Sequence, residues 1–82
     1  MLKVSVISPE AMLFEGEASS VVAPAFDGEV GILPGHAPMI TVLGQGTLRV
    51  EGDPPARFTV SGGFVQVVDD TVRVVTEKAS RA

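Results

Sequence analysis

Five short stretches of this 82-residue chain alternate apolar and polar side chains one by one. Leu2, Val4 and Val6 alternate with Lys3 and Ser5; Leu48 and Val50 with Thr47, Arg49 and Glu51; Phe58 and Val60 with Arg57, Thr59 and Ser61. Val65 and Val67 flank Gln66, and Val72 and Val74 flank Arg73. A repeat of two sends successive side chains to opposite faces of an extended chain, and the β-branched valines suit a pleated surface. Turn formers punctuate the runs: Ser8-Pro9-Glu10, Phe26-Asp27-Gly28, Pro34-Gly35, Gly44-Gln45-Gly46, Gly52-Asp53-Pro54-Pro55, Ser61-Gly62-Gly63 and Asp69-Asp70. Pro34-Gly35 suits the two central positions of a type II turn. Short strands about ten residues apart predict an all-β sandwich or barrel. No helical period is sustained. The chain reads as one domain over 1–82, with its core in 1–76 and a polar, frayed tail over 77–82.

A domain of this size buries only about 60% of the surface its unfolded chain exposes, so a partner that binds the folded form adds stability. Cysteine is absent and His36 is the sole histidine, which excludes disulfides, thiolate metal sites and multi-histidine metal sites. Six basic residues against ten acidic ones give a net charge of −4, and the basic ones are scattered, which argues against nucleic acid. No apolar run approaches the roughly 20 residues that span a bilayer, and no secretory signal opens the chain.

Catalytic chemistry finds little support. His36 with Ser19, Ser20 or Ser61 and Asp27 forms a triad only on paper, since no nucleophile-elbow pattern surrounds a serine. Glu15 and Glu17 share a strand face and read as solvated carboxylates; Asp69-Asp70 reads as a hairpin turn. Gly28-Glu29-Val30-Gly31 and Gly44-Gln45-Gly46 lack the spacing of a phosphate-binding loop, and no helix follows either. The four phenylalanines, Phe14, Phe26, Phe58 and Phe64, read as core. What remains is a rigid sandwich carrying loops, the anatomy of a binding module.

The segment Gly28 to Thr41 reads GEVGILPGHAPMIT. It resembles the GE-x-GI-x-PGHAP segment of the epsilon subunits of F-type ATP synthases, whose mitochondrial equivalent is called delta. Other pieces follow in the family's order: Val4 to Glu10 with Leu13-Phe14-Glu15-Gly16, Gly46-Thr47-Leu48-Arg49, Val60 to Val67, and Asp70 to Thr76. The resemblance implies a flattened sandwich of two five-stranded sheets. It also implies a non-catalytic rotor subunit of the central stalk, coupling ion flow to ATP synthesis.

Carried over by position, the resemblance places Ser8 and Glu29 at the contact with the c-subunit ring. It turns His36 and Thr41 toward the gamma subunit, and makes Gly28, Gly31, Pro34, Gly35 and Pro38 the residues that shape the loop. It implies no cofactor, no metal and no contact with nucleic acid. It implies membrane association only through the complex, on the cytoplasmic face of a bacterial inner membrane in preference to a plastid thylakoid. Most family members continue into two C-terminal helices, some of which bind ATP; their motif has no counterpart in 1–82, so no specific ATP binding is expected. Two other readings remain open: a generic β-sandwich ligand or adaptor module, and a small hydrolase using His36.

Overall fold

The computed structural model describes residues 1–52 and 54–81. Asp53, from the predicted turn at 52–55, and Ala82, from the predicted tail, lie outside the described residues. Seven strands follow one another: β1 (Leu2–Ile7), β2 (Met12–Ala25), β3 (Gly28–Ile32), β4 (Met39–Val42), β5 (Gln45–Gly52), β6 (Ala56–Val68) and β7 (Thr71–Arg81). Three of them are long, and each crosses from one sheet to the other.

The first sheet takes the first half of β2, then β1, the first half of β7, the second half of β6, and β4 at its edge. The second takes the last turns of β7, the first half of β6, then β5, the second half of β2, and β3 at its edge. Each sheet therefore holds five strand segments, and the molecule is flattened to 27 × 27 × 18 Å. The fold is the expected sandwich, joined into a closed circuit by its bent strands.

Inward-facing positions change parity where the long strands cross over. In β2 the buried set passes from Ala18 to Val21 and Ala23, at an irregularity against β5 between Ala18 and Ser20. In β6 it passes from Phe58 and Val60 to Val65 and Val67. Ser61-Gly62-Gly63 is thus the bend inside β6, where Gly62 and Gly63 have φ of 77° and 107°, and not a turn between strands. In β7 the set passes from Val74 and Thr76 to the half-buried Ala79. Gln45 and Gly46 likewise belong to β5, so only Gly44 separates it from the bridge at Leu43.

Asp69 and Asp70 form a two-residue hairpin turn with φ of 49° and 59°, the conformation that matches strand twist. The expected tail is strand as well: Lys78, Ala79, Ser80 and Arg81 pair with Ser61, Val60, Thr59 and Phe58. Polar composition misled there because those residues alternate over the sheet's rim. Valine supplies most of the buried core, and its stiff side chain loses little freedom on burial.

The phenylalanines divide, against the expectation that all four are core. Phe58 is wholly buried, and Phe14 packs on the core and meets Phe58 edge-on at 6.5 Å. Phe64 follows the parity change, so with Val65 inward it faces out; Phe26 sits in the β2–β3 turn, 73% exposed. Phe26→Ser should therefore leave the melting temperature within about 4 °C of wild type, since surface changes stay within about 0.5 kcal/mol. A differential scanning measurement checks this.

Candidate partner-binding site

Strand register sorts the sequence-predicted residues onto two ends of the sandwich. Ser8 follows β1 beyond the row Ile7–Val75–Phe64–Val42. Its amide and hydroxyl close a tight turn: Ser8 N–H donates to Ala11 O at 2.8 Å, and Ala11 N–H lies 3.3 Å from Ser8 Oγ. Glu29 sits on edge strand β3 opposite Pro24, whose carbonyl accepts from Gly44 N–H at 2.7 Å. Gly44, in turn, accepts from Gly62 at the β6 bend. Ser8 and Glu29 therefore belong to the same end of the sandwich.

Glu29 is exposed, and its carboxylate lies 3.9 Å from the Arg49 guanidinium. A solvated pair of that kind contributes no more than about 1 kcal/mol, so Glu29 is free to exchange it for another partner.

The loop of residues 33–38 occupies the opposite end, between β3 and β4. Pro34-Gly35 makes the predicted turn: His36 N–H donates to Leu33 O at 3.1 Å, and Gly35 has φ of 85°. The loop leans on the β6–β7 hairpin, where Gly35 N–H donates to Asp70 Oδ1 at 2.7 Å. His36 Nδ1 lies 2.7 Å from Ala37 O, and the open hollow of about 380 Å³ beside it is lined by Gly35, His36, Pro38, Asp69 and Asp70. Among the described residues, no serine and no phenylalanine borders that hollow. Ser19 Oγ is engaged with Glu51 O on another strand, which removes it from any triad with His36. Gly28 uses its freedom at φ 131°, but Gly31 lies within β3, where a side chain would meet open space.

Thr41 pairs with the buried Val65, so its side chain is on the inward side of β4 and half-buried. The neighbours that face out are apolar. Ile40 is 67% and Val42 58% exposed; on β6 Phe64 pairs with Val42 and Gln66 with Ile40, and Val68 stands beyond Gln66. Register extends this surface across the first sheet, through Val42, Phe64, Val75, Ile7 and Met12. The outer face of the second sheet carries Arg49, Arg57, Thr47, Thr59 and Glu51 instead. An apolar row of this length, present on one face only, suits a contact surface. Sequence reasoning passed over it, although one signal was present: Met39, Ile40, Val42 and Leu43 are apolar at both parities, more than one buried face needs.

Comparison with known proteins gives these surfaces a family. All 82 residues match the model of the ATP synthase delta/epsilon chain beta-sandwich domain. The chain belongs to the ATP synthase delta/epsilon family. The epsilon chain of Leptospira borgpetersenii is 47% identical over 77 residues, covering 93% of this chain and 61% of that one. The epsilon chain of Rhodopirellula baltica is 48% identical over 75 residues, 90% of this chain and 59% of that one. This delta/epsilon domain thus spans about three fifths of the curated relatives it matches.

Among solved structures, a chain of the Euglena gracilis mitochondrial ATP synthase OSCP/F1/c-ring assembly superposes with a TM-score of 0.88 at 25% identity, over 98% of this chain and 52% of that one. A chain of the Tetrahymena thermophila central stalk/c-ring assembly shares the fold, with a TM-score of 0.84 at 18% identity over 96% and 65%. Within this delta/epsilon domain, GEVGILPGHAP covers β3 and the loop to β4, and so links the two ends of the sandwich.

Proposed function

We propose that this chain is a non-catalytic rotor subunit of an F-type ATP synthase. It binds the gamma subunit through loop 34–38 and the outward surface of β4 and β6. It binds the c-ring through the end that carries Ser8 and Glu29, and so joins ion translocation to ATP synthesis without chemistry of its own. The complex holds it at the membrane, on the cytoplasmic face in a bacterium.

The observation that carries this reading is the placement of His36, Pro38, Ile40, Val42, Phe64 and Val68 on one side of the molecule, around Gln66, in a chain of this family. Apolar side chains of this size gain about 1.5–3 kcal/mol each when fully buried by a partner. A loop stiffened by Pro34 and Pro38 loses little conformational entropy on docking. At the other end an exposed carboxylate and a serine-closed turn suit polar loops. His36 extends the gamma contact on this reading, whereas Thr41 acts by holding β4 against the core.

Ile40→Lys/Val42→Lys should weaken binding to the cognate gamma subunit by about 100-fold, because two apolar contacts are lost and two charges must be desolvated. The melting temperature should hold, since both side chains are exposed. Surface plasmon resonance against purified gamma measures this, and unchanged affinity would refute the reading. Glu29→Lys should leave gamma binding intact and reduce retention of the c-ring in the assembled complex. Titration calorimetry with ATP should show no specific heat up to millimolar concentration. A generic ligand module predicts the reverse pattern, with indifference to Ile40 and Val42 and saturable binding of an unrelated small molecule.

A further inference from the structure

From the contacts around the β6–β7 hairpin, we infer that Asp70 is a positioning residue, whose carboxylate holds loop 34–38 in the shape that docks. The inference rests on the reading of that loop as a gamma contact.

Loop 33–38 carries two local ties, the His36 N–H to Leu33 O bond and the His36 Nδ1 contact with Ala37 O. Both lie inside the loop, so they shape it without fixing it to the sandwich. The tie to the rest of the molecule is Gly35 N–H to Asp70 Oδ1, between residues 35 positions apart in sequence, at 2.7 Å. A hydrogen bond to an ionised oxygen is shorter and stronger than one between neutral groups.

Asp70 is itself well anchored. Its carbonyl accepts from Lys3 N–H at 2.8 Å, which ties the hairpin to the start of β1. It is the second residue of the two-residue turn and has φ of 59°. Glycine is the residue that this backbone conformation most favours, and aspartate tolerates it at a small cost. Glycine would relax the turn and would leave Gly35 N–H without its acceptor. The hairpin tip thus acts as a bracket: β1, β6 and β7 hold Asp70, and Asp70 holds the loop.

This separates Asp70 from a merely structural residue, because the variant that best suits the turn should be the one that binds worst. Asp70→Gly should keep or raise the melting temperature and weaken gamma binding about five- to tenfold, through loss of a charge-assisted bond and of loop order. Asp70→Asn retains an oxygen acceptor without the charge and tolerates positive φ, so it should recover most of the affinity that Asp70→Gly loses. Hydrogen exchange read by NMR on the free chain gives the second measure. In Asp70→Gly the Gly35 amide should exchange at least about tenfold faster while the amides of Val65 and Val74 in the core keep their protection.

Tight gamma binding by Asp70→Gly, or an unchanged Gly35 exchange rate, would overturn the inference. If the wild-type chain itself fails to bind gamma, the rotor reading falls. The positioning role of Asp70 is then decided by the Gly35 amide alone, upheld by faster exchange in Asp70→Gly and refuted by its absence.

Discussion

Gly63→Ala should cost at least about 3 kcal/mol and lower the denaturation midpoint sharply. A domain of this length holds only about 4–12 kcal/mol in total. The cause is local and rigid. Gly63 has φ of 107°, and a Cβ built there overlaps the Val75 carbonyl oxygen and comes within 2.7 Å of Thr76 Cα and 2.9 Å of Val75 C. All three atoms are backbone of the neighbouring strand β7, so no rotamer change relieves them. The β6 bend would have to open, and with it the switch that turns Phe58 and Val60 inward on one sheet and Val65 and Val67 inward on the other.

Gly62→Ala supplies the control. Its φ is also positive, at 77°, but the added Cβ meets the end of the Glu77 side chain at 2.7 Å, which can swing into solvent. That variant should cost only about 1–2 kcal/mol. Guanidinium titrations of both proteins, read by far-ultraviolet circular dichroism, test the pair. Equal midpoints for Gly62→Ala and Gly63→Ala would mean that conformational strain alone, and not closeness to β7, makes the bend need glycine.

This pair also shows where sequence reasoning reaches its limit. Alternation located the strands, because burial on one face imposes a period of two, and Val65-Gln66-Val67 reads as clearly as Leu2 to Val6. Pro34-Gly35 and Asp69-Asp70 were legible as turns because their backbone conformations are narrow. Ser61-Gly62-Gly63 has the same composition as a turn but serves as a bend within one strand. Only the pairing of both flanks with β7 distinguishes the two, and pairing is a long-range fact. The outward placement of Phe64 follows from its alternation with the buried Val65, which assigning every phenylalanine to the core by residue type passed over.

The candidate site divides in the same way. Loop 34–38 was legible through its motif, and its rigidity through its prolines. The apolar surface of Ile40, Val42, Phe64 and Val68 was not, because it joins β4 to β6 across about 25 residues of sequence. The Asp70 tie to Gly35 is equally invisible in sequence, since an Asp-Asp hairpin needs no loop partner to explain it.

Phe58→Ala is expected to lower stability by about 3–5 kcal/mol, the range for truncating a buried aromatic ring. Phe58 is the largest fully buried side chain, and it closes the end of the core where β5, β6 and β7 meet. Phe14 meets it edge-on at 72° between planes, and the Arg81 guanidinium lies over its face, 4.9 Å from the centroid. The ring is sealed from water although it pairs with a residue near the end of β7, because the arginine stem and head cover it.

Arg81→Ala should therefore cost about 1 kcal/mol, since the cation is exposed on its outer side and its attraction to the ring is partly screened. In Phe58→Ala the same arginine change should cost almost nothing, giving a coupling of about 0.5–1 kcal/mol in a double-mutant cycle. Denaturant midpoints for the four proteins provide the cycle. A coupling near zero would return residues 78–81 to the role of a loose tail. A coupling of the expected size makes the last strand a lid on Phe58, and makes the second sheet depend on residues whose composition alone reads as a frayed end.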